Sequence, residues 1–290
     1  SDTVWFEFLF TFFIGGKMRN TKKCNQIVVN FLKILIILIS LSPLLFLVAN
    51  SLKTTHDYLF SPFSFPETYT LDNYYNYIIY FHGLKYWLNT LLVVTIAISF
   101  SLLIGSFCAF SLSLQSKSKA IPAIFIITSL FFLPDVIFIA PLYKVFASIG
   151  ATKGSLAIIL MYIRASFPPT VIFLYISMVK ISPDLYWSYM LDGASIYMIF
   201  FTQIPKICSF EICFIVLYNS LSLFKDYTMA LLFISSNSLI TANVAIARYL
   251  SMNNLDFPKY FAATVINLLP FFIYFLVMPA FFRKNEWNLL

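Results

Sequence analysis

Long uncharged stretches dominate the chain and alternate with short polar segments. A helix needs roughly 20 apolar residues to cross the hydrocarbon core of a bilayer. Stretches long enough for a crossing cover residues 31–49, 86–114, 120–146, 154–178 and 260–282. A shorter stretch, 207–224, contains Glu211, but its run of Cys, Phe, Ile, Val and Leu still predicts a crossing. The pattern therefore predicts an all-α, polytopic membrane protein with six transmembrane helices over residues 27–284.

The composition agrees with a bilayer as the solvent of this chain. Of its 290 residues, 60% are hydrophobic and 11% are charged, whereas a soluble domain carries about 25% charged residues. The net charge of +7 fits membrane topology better than nucleic-acid binding, because no basic run is interleaved with aromatic residues. We therefore expect the lipid bilayer, and no nucleic acid, as a partner.

Lys and Arg are more numerous on one side of the predicted helices. Cytoplasmic flanks of membrane proteins carry the cationic excess, so the bias predicts a plasma (inner) membrane protein with both termini in the cytoplasm. Residues 1–26 are then an N-terminal cytoplasmic or interfacial segment, and residues 285–290 a C-terminal tail. The segment 53–85 is external, and its Tyr-rich second part predicts a short interfacial helix, since Tyr is favoured at membrane interfaces.

The segment 180–206, between the fourth and fifth crossings, is too polar to be another crossing. Ser182, Pro183 and Asp184 predict a helix start, because Ser caps, Pro is tolerated at the first helical position and Asp faces the positive end of the helix dipole. Gly193, directly after Asp192, predicts the end of that helix. A second short helix is expected over 195–204, ending at Pro205.

These two short helices carry more large apolar residues than a solvated loop usually does. They are Leu185, Trp187, Tyr189, Met190, Leu191, Met198 and Phe201. Exposed apolar groups at this density indicate a protein partner.

The same segment resembles the loop signature of ABC importer permeases, in which Glu-Ala-Ala precedes Asp-Gly-Ala and a later Pro. The matching segments are 181–185 (ISPDL), 191–195 (LDGAS) and 204–205 (IP). Further segments similar to the maltose-type permeases, of the carbohydrate-uptake kind, are 71–74, 87–90, 108–110, 133–134, 140–143 and 268–270. The resemblance covers about residues 28–284 and rests on the order of the motifs rather than on any one of them.

The resemblance implies a sugar importer in which the 180–206 loop docks onto a cytoplasmic ATPase subunit. It also implies a second, similar permease subunit as a heterodimer partner, and an external solute-binding protein. The residues expected to couple to the ATPase are Asp184, Leu185, Trp187, Ser188, Tyr189, Asp192, Gly193, Ala194 and Pro205.

The loop departs from the family pattern in two ways. Trp187, Ser188 and Tyr189 stand where the family has Glu-Ala-Ala, so the acidic contact is missing. The stretch from Gly193 to Pro205 is also one position shorter than usual. Either the partner ATPase has changed in step, or coupling is weakened; we favour the first interpretation because the rest of the pattern is retained.

Polar residues within the crossings are candidates for the solute path. Ionisable groups in a membrane are costly and usually face a protein interior or a cavity, and a sugar site combines hydrogen-bonding groups with aromatic faces. The candidates are Asp135, Tyr162, Arg164, Tyr218 and Asn219. An Asp135–Arg164 pair that only holds two helices together is an equally good interpretation.

Other functional classes have less support. An ion-coupled secondary transporter or channel subunit would show discontinuous helices in two related halves, and no such internal symmetry is visible. The sequence has no Gly-x4-Gly-Lys-Ser/Thr loop and no catalytic motif of a membrane enzyme, so we expect ATP hydrolysis in a separate subunit. The Cys residues form no C-x-x-C pair, and neither a metal nor a cofactor is expected.

Overall fold

The structure, a computed structural model, describes residues 23–253 and 256–285, and among these residues it contains helices and turns but no strand. In chain order the helices are α1 (Lys23–Ser51), α2 (Thr55–Phe60), α3 (Asp72–Tyr75), α4 (Gly83–Ser113), α5 (Lys117–Phe132), α6 (Val136–Ser148), α7 (Leu156–Met178), α8 (Pro183–Leu191), α9 (Ile196–Met198), α10 (Ile204–Ile207), α11 (Ser209–Phe224), α12 (Thr228–Phe233), α13 (Ala242–Met252) and α14 (Phe257–Asn285). Most of the predicted N-terminal segment, residues 1–22, and the tail residues 286–290 lie outside the described part.

Several helices are long and apolar enough to cross a membrane. Three single helices meet this condition, over Val29–Ser51, Gly83–Ser113 and Leu156–Met178. Two bent pairs of helices, α5 with α6 and the α9–α10 segment with α11, also meet it if each pair is taken as one crossing. The number of candidate crossings is then five. The stretch 260–282 lies within α14, which is not among those five. The helical membrane architecture is thus confirmed, and the count of six crossings stays a prediction.

The stretch 120–146, predicted as one crossing, consists of two helices that meet at 89°. The break falls at Pro134, which has no backbone N–H and whose ring disfavours the helical conformation of the residue before it. Leu133 is accordingly extended, with φ −72° and ψ 127°. The stretch is therefore a bent pair of helices, and a single crossing by this pair stays a prediction.

The centre of the fold is the packing of α4 against α7. Ala97 and Ala157 are fully buried, and small residues let membrane helices approach closely. The two helices are closest at Gly105 of α4, where a Cβ atom would lie 2.7 Å from Cγ2 of Thr170 on α7. This close contact fixes α7, and with it the polar residues that α7 carries.

The predicted external segment folds into a compact cap on the ends of the long helices. The Asn73 side chain donates 2.9 Å hydrogen bonds to the carbonyls of Ser51 and Lys53. Lys53 is itself fully buried, and its ammonium donates to the carbonyl of Ser61 at 2.7 Å. The expected Tyr-rich helix is α3, continued by a π-helical turn over Asn76–Tyr80.

Candidate coupling helix and solute cavity

The helix α8 begins as its sequence predicts. The Ser182 hydroxyl accepts a 3.3 Å hydrogen bond from the backbone N–H of Asp184. Pro183 occupies the first turn, where its missing N–H leaves no helical bond unmade. Local sequence thus sets the start of this helix without help from the rest of the fold.

The end of α8 is a Schellman turn built around Gly193. The Gly193 N–H donates to the carbonyl of Met190, and the Ala194 N–H donates to the carbonyl of Tyr189, both at 3.0 Å. Gly193 has φ +86°, the left-handed conformation that favours glycine. A Cβ atom at Gly193 would meet nothing within 4 Å, so the turn faces open space.

One face of α8 packs firmly against the helix bundle. Tyr186 is buried, with its ring edge-on to Phe110 of α4 at 5.9 Å between centroids. Tyr189, one turn further on, is half-buried in the same apolar cluster, together with Ala194. These inward residues make α8 rigid with respect to α4 and α7. Tyr186 was not among the residues predicted from sequence, although its i, i+3 spacing with Tyr189 is the signal of a buried helix face.

The opposite face of α8 is exposed and carries most of the predicted coupling residues. Trp187 is 63% exposed, and Leu191, at the tip, is 88% exposed. The other exposed members of the predicted set are Asp184, Leu185, Ser188, Asp192, Gly193 and Pro205. The structure therefore divides the predicted residues between an outward face and, for Tyr189 and Ala194, the inward face.

The second short helix differs from the prediction at its C-terminal end. Its start is capped, since the Ser195 hydroxyl accepts from the backbone N–H of Met198 at 3.2 Å. A π-helical turn, Ile199–Gln203, then leads into α10, which places Pro205 in its first turn and continues to Ile207. Pro205 thus does not end the helix, because a proline is tolerated in the first turn of the new helical segment. The bend of 76° comes after Ile207, where α11 begins.

A cavity of about 560 Å³ lies between α7, α11 and the break that joins α5 to α6. Of the predicted solute-path residues, it brings together Asp135, Arg164, Tyr218 and Asn219. Aromatic rings on its wall include Phe131, Phe138 and Phe167. Hydrogen-bonding groups beside aromatic faces form the kind of lining that binds a sugar.

Small polar groups of α4, α7 and α11 form a hydrogen-bonded set that includes Asn219 of this wall. The Asn219 amide donates to the Thr170 hydroxyl at 3.1 Å, and Ser101 lies 3.3 Å from the same hydroxyl. Ser166 lines the cavity, is almost fully buried, and its hydroxyl has no hydrogen-bond partner among the described residues. Pro168 and Pro169 follow it, and since neither has an N–H, the helical hydrogen bonds to the carbonyls of Arg164 and Ala165 are missing.

The charged residues of the cavity form an ion pair across the helix break. The Arg164 guanidinium donates to the Asp135 carboxylate and lies over the ring of Phe138, 4.4 Å from its centroid. Asp135 occupies the N-cap position of α6, yet its side chain makes no capping hydrogen bond. Its carboxylate is turned to Arg164 instead.

Tyr162 lies away from the other path candidates. It is almost fully buried, and its hydroxyl donates to the Asp226 carboxylate at 2.9 Å. It lines neither this cavity nor the one between α11, α13 and α14. The structure therefore places Tyr162 in a contact between helices.

A second cavity, of about 840 Å³, lies between α11, α13 and α14 and was not foreseen from the sequence. Its polar lining includes Asn243 and Asn267, whose amides are joined by a 2.7 Å hydrogen bond. Tyr218 and Ser222, one turn apart on α11, line both cavities. An Asn on an otherwise apolar helix such as α14 was the available signal, but its partner on α13 could not be identified from spacing.

Comparison with known proteins finds relatives of one kind, although no family model matches the chain. The diacetylchitobiose uptake system permease protein NgcG of Streptomyces coelicolor is 26% identical over 238 residues, which is 81% of this chain and 78% of the relative. The melibiose/raffinose/stachyose import permease protein MelC of Bacillus subtilis is 23% identical over 91% of this chain and 96% of its own length. The multiple sugar-binding transport system permease protein MsmG of Streptococcus mutans is 25% identical over 82% of this chain and 86% of its own.

A solved structure shares the fold. It is the crystal structure of a bacterial ABC transporter involved in the import of the acidic polysaccharide alginate, with a TM-score of 0.72, 16% identity, and coverage of 91% of this chain and 100% of the matched one. Fold and site together define a multi-pass helical membrane protein with an exposed helix between two of its long helices. Along most of its length the chain is similar to permease subunits of ABC importers for sugars, so the resemblance predicted from the sequence is confirmed. The relatives are transporter subunits rather than enzymes.

Proposed function

We propose that this chain is the permease subunit of an ATP-driven importer, which forms part of the translocation path for a sugar or related solute. In this proposal the 180–206 loop couples it to a cytoplasmic ATPase subunit, and ATP hydrolysis takes place in that partner. The termini lie in the cytoplasm, as the distribution of cationic residues predicts. A second permease subunit and an external solute-binding protein complete the assembly.

The observation that carries the proposal is the two-sided construction of α8. Its inner face is held by Tyr186 against α4, while Trp187 and Leu191 are exposed on the outer face. Large exposed apolar residues, Trp above all, are typical anchors of protein interfaces. A short helix that packs firmly against the bundle on one face and binds a partner on the other can transmit a rigid-body movement of that partner to the transmembrane helices.

The ATPase contact can be tested by adding bulk at the tip of α8, and the melting temperature of each variant then reports any strain that a side chain brings to the left-handed turn at Gly193. Because a Cβ at Gly193 meets no atom within 4 Å, Gly193→Trp projects a bulky group outward. Gly193→Asn is the matched control, since Asn tolerates the left-handed conformation and is small. We expect the Trp variant to lose co-purification with the cognate ATPase and the Asn variant to retain it. Undiminished binding of the Trp variant would contradict the coupling role.

The orientation has its own test. A cysteine at Asp192, in a chain whose native cysteines are replaced, is expected to react with a membrane-impermeant thiol reagent from the cytoplasmic side alone. Labelling from the outer side would reverse the topology and remove the loop from reach of an ATPase. Co-elution of this chain with a second permease and an ATPase would separate the importer proposal from a stand-alone carrier.

For the solute path, we propose the 560 Å³ cavity and its residues Asp135, Arg164, Tyr218 and Asn219. Its volume lies within the range of about 300–1,000 Å³ typical of small-molecule sites. Tyr162 is retained as a residue that supports the path through Asp226 rather than as a contact of the solute.

A further inference from the structure

We infer that the Asp135–Arg164 pair sets the charge selectivity of the cavity, so that it accepts neutral saccharides and rejects acidic ones. The inference rests on the proposed function, because it assumes that the solute passes through this cavity. It adds the chemical class of the solute and assigns a specificity-determining role to Asp135.

The described residues that line the cavity have no net charge. Among the described residues that line it, Asp135 is the acid and Arg164 the base, and their formal charges, −1 and +1, sum to zero. The other polar groups on the wall, such as Ser166, Asn219 and Ser222, are neutral. A neutral wall of hydroxyl and amide groups suits a polyhydroxylated solute without net charge.

The charge of Arg164 is already compensated by Asp135. The guanidinium donates to the Asp135 carboxylate and its face lies over Phe138, while its Nε is buried and has no hydrogen-bond partner among the described residues. A carboxylate on the solute would therefore have to compete with Asp135 for the guanidinium. Two positive charges attract the Asp135 carboxylate, the guanidinium of Arg164 and the partial charge at the N-terminal end of α6. A solute anion would give up its hydration and gain no free cation in exchange.

Asp135 pairs with Arg164, which is the basic residue among the described residues of the cavity wall. Asp135 therefore acts as a built-in competitor for any acidic solute. Removing its charge would leave Arg164 as an uncompensated cation in the cavity, and an anion would then be the favoured ligand.

The experiment measures cavity occupancy directly and does not depend on the binding protein. The complete importer, in nanodiscs, carries Leu160→Cys, at a position that lines the 560 Å³ cavity and not the 840 Å³ one, with the four native cysteines of this chain replaced by alanine. Modification by methyl methanethiosulfonate, an uncharged reagent, is followed in the presence of neutral mono-, di- and trisaccharides. Each sugar is paired with the uronate in which one primary alcohol is oxidised to a carboxylate.

With the native pair, we expect neutral sugars to protect the cysteine, and the matched uronates to need about tenfold higher concentrations. Asp135→Asn is expected to reverse that ratio, and Asp135→Asn with Arg164→Gln to restore the preference for neutral sugars. Glu67→Gln, an exposed position outside the cavity, removes the same charge and is expected to leave the ratio unchanged.

Two results would overturn the inference. An unchanged ratio in Asp135→Asn, with only a lower melting temperature, would show that the pair does no more than hold helices together. Protection by no sugar at all would show that the cavity does not bind saccharides. Neither result affects the Gly193→Trp test of ATPase binding, so failure of the importer proposal remains distinguishable.

Discussion

The hydroxyl of Tyr162 donates a 2.9 Å hydrogen bond to the carboxylate of Asp226, and this contact joins the middle of the fold to the segment that follows α11. The same carboxylate accepts hydrogen bonds from the backbone N–H groups of Met229 and Ala230, at 3.3 and 3.0 Å. Asp226 therefore caps the start of α12 while it is held by α7. A buried tyrosine thus fixes the position of a loop helix through a single acidic group.

Removal of the Tyr162 hydroxyl is expected to destabilise the protein. Tyr162→Phe leaves the ring packing intact but deprives a buried carboxylate of one donor, at a cost of about 1.5–3 kcal/mol for a hydrogen bond to a charged group. The measurement is the melting temperature of the purified protein in detergent. Tyr143→Phe is the control, because Tyr143 also packs edge-on near α12, against Phe233, but is 42% exposed. A transport defect without loss of stability would instead favour the original interpretation of Tyr162 as a solute contact.

Asp226 also predicts a pH dependence of stability. Asp226 lies between α11 and α12, outside the predicted crossings. Burial raises the pKa of its carboxyl above the usual 3.8. The hydrogen bonds from Tyr162, Ala230 and Met229 oppose this effect and lower the pKa. A raised pKa means that the folded state binds the proton more tightly than the unfolded state does. Proton binding by Asp226 therefore stabilises the fold. This stabilisation is fully present below the unfolded pKa and is lost as the pH rises through the folded pKa. Relative to Asp226→Asn, the melting temperature of the unmodified protein should fall as the pH rises above the usual 3.8 of an aspartate. A difference that stays constant as the pH rises would contradict the assignment.

The contact of Gly83 with Tyr77 gives a steric prediction. A Cβ atom at Gly83 would lie 2.3 Å from the Tyr77 ring, and that ring is almost fully buried, so it has little room to move. Gly83→Ala is therefore expected to cost about 1–3 kcal/mol or more through overpacking. Gly154→Ala is the matched control, since its Cβ would meet nothing within 4 Å and its φ is −119°. Equal melting temperatures for the two variants would show that the cap formed by residues 53–85 is looser than described.

Local signals in the sequence predicted α8 well. Ser182 and Gly193 determine the two ends of α8 through hydrogen bonds to near neighbours, and such contacts depend on residue type more than on the rest of the fold. Pro134 was an equally clear local signal, yet the apolar length of 120–146 outweighed it. The helix break shows that a missing N–H decides the path of the backbone even inside a long apolar stretch.

The partners of the polar residues within the crossings were predicted less completely, for a physical reason. Asp135, Arg164 and Asn219 were identified because polar groups in a membrane are costly and must have partners. Which partner each one has depends on how helices pack, and one-dimensional spacing carries little of that information. Tyr162 was therefore assigned to the path although Asp226 binds it, and the Asn243–Asn267 pair was not foreseen.

The polar contact between α4, α7 and α11 provides the last prediction. The Thr170 hydroxyl accepts from the Asn219 amide at 3.1 Å, lies 3.3 Å from the Ser101 hydroxyl and donates to the Ser166 carbonyl at 2.7 Å. Thr170→Val keeps the volume but leaves the buried Asn219 amide without this acceptor, so we expect a loss of about 1–3 kcal/mol in detergent melting experiments. Thr170→Ser keeps the hydroxyl and removes one methyl group, for a loss of about 1 kcal/mol. Were Thr170→Val the more stable of the two, apolar packing rather than hydrogen bonding would hold the three helices together at the wall of the cavity.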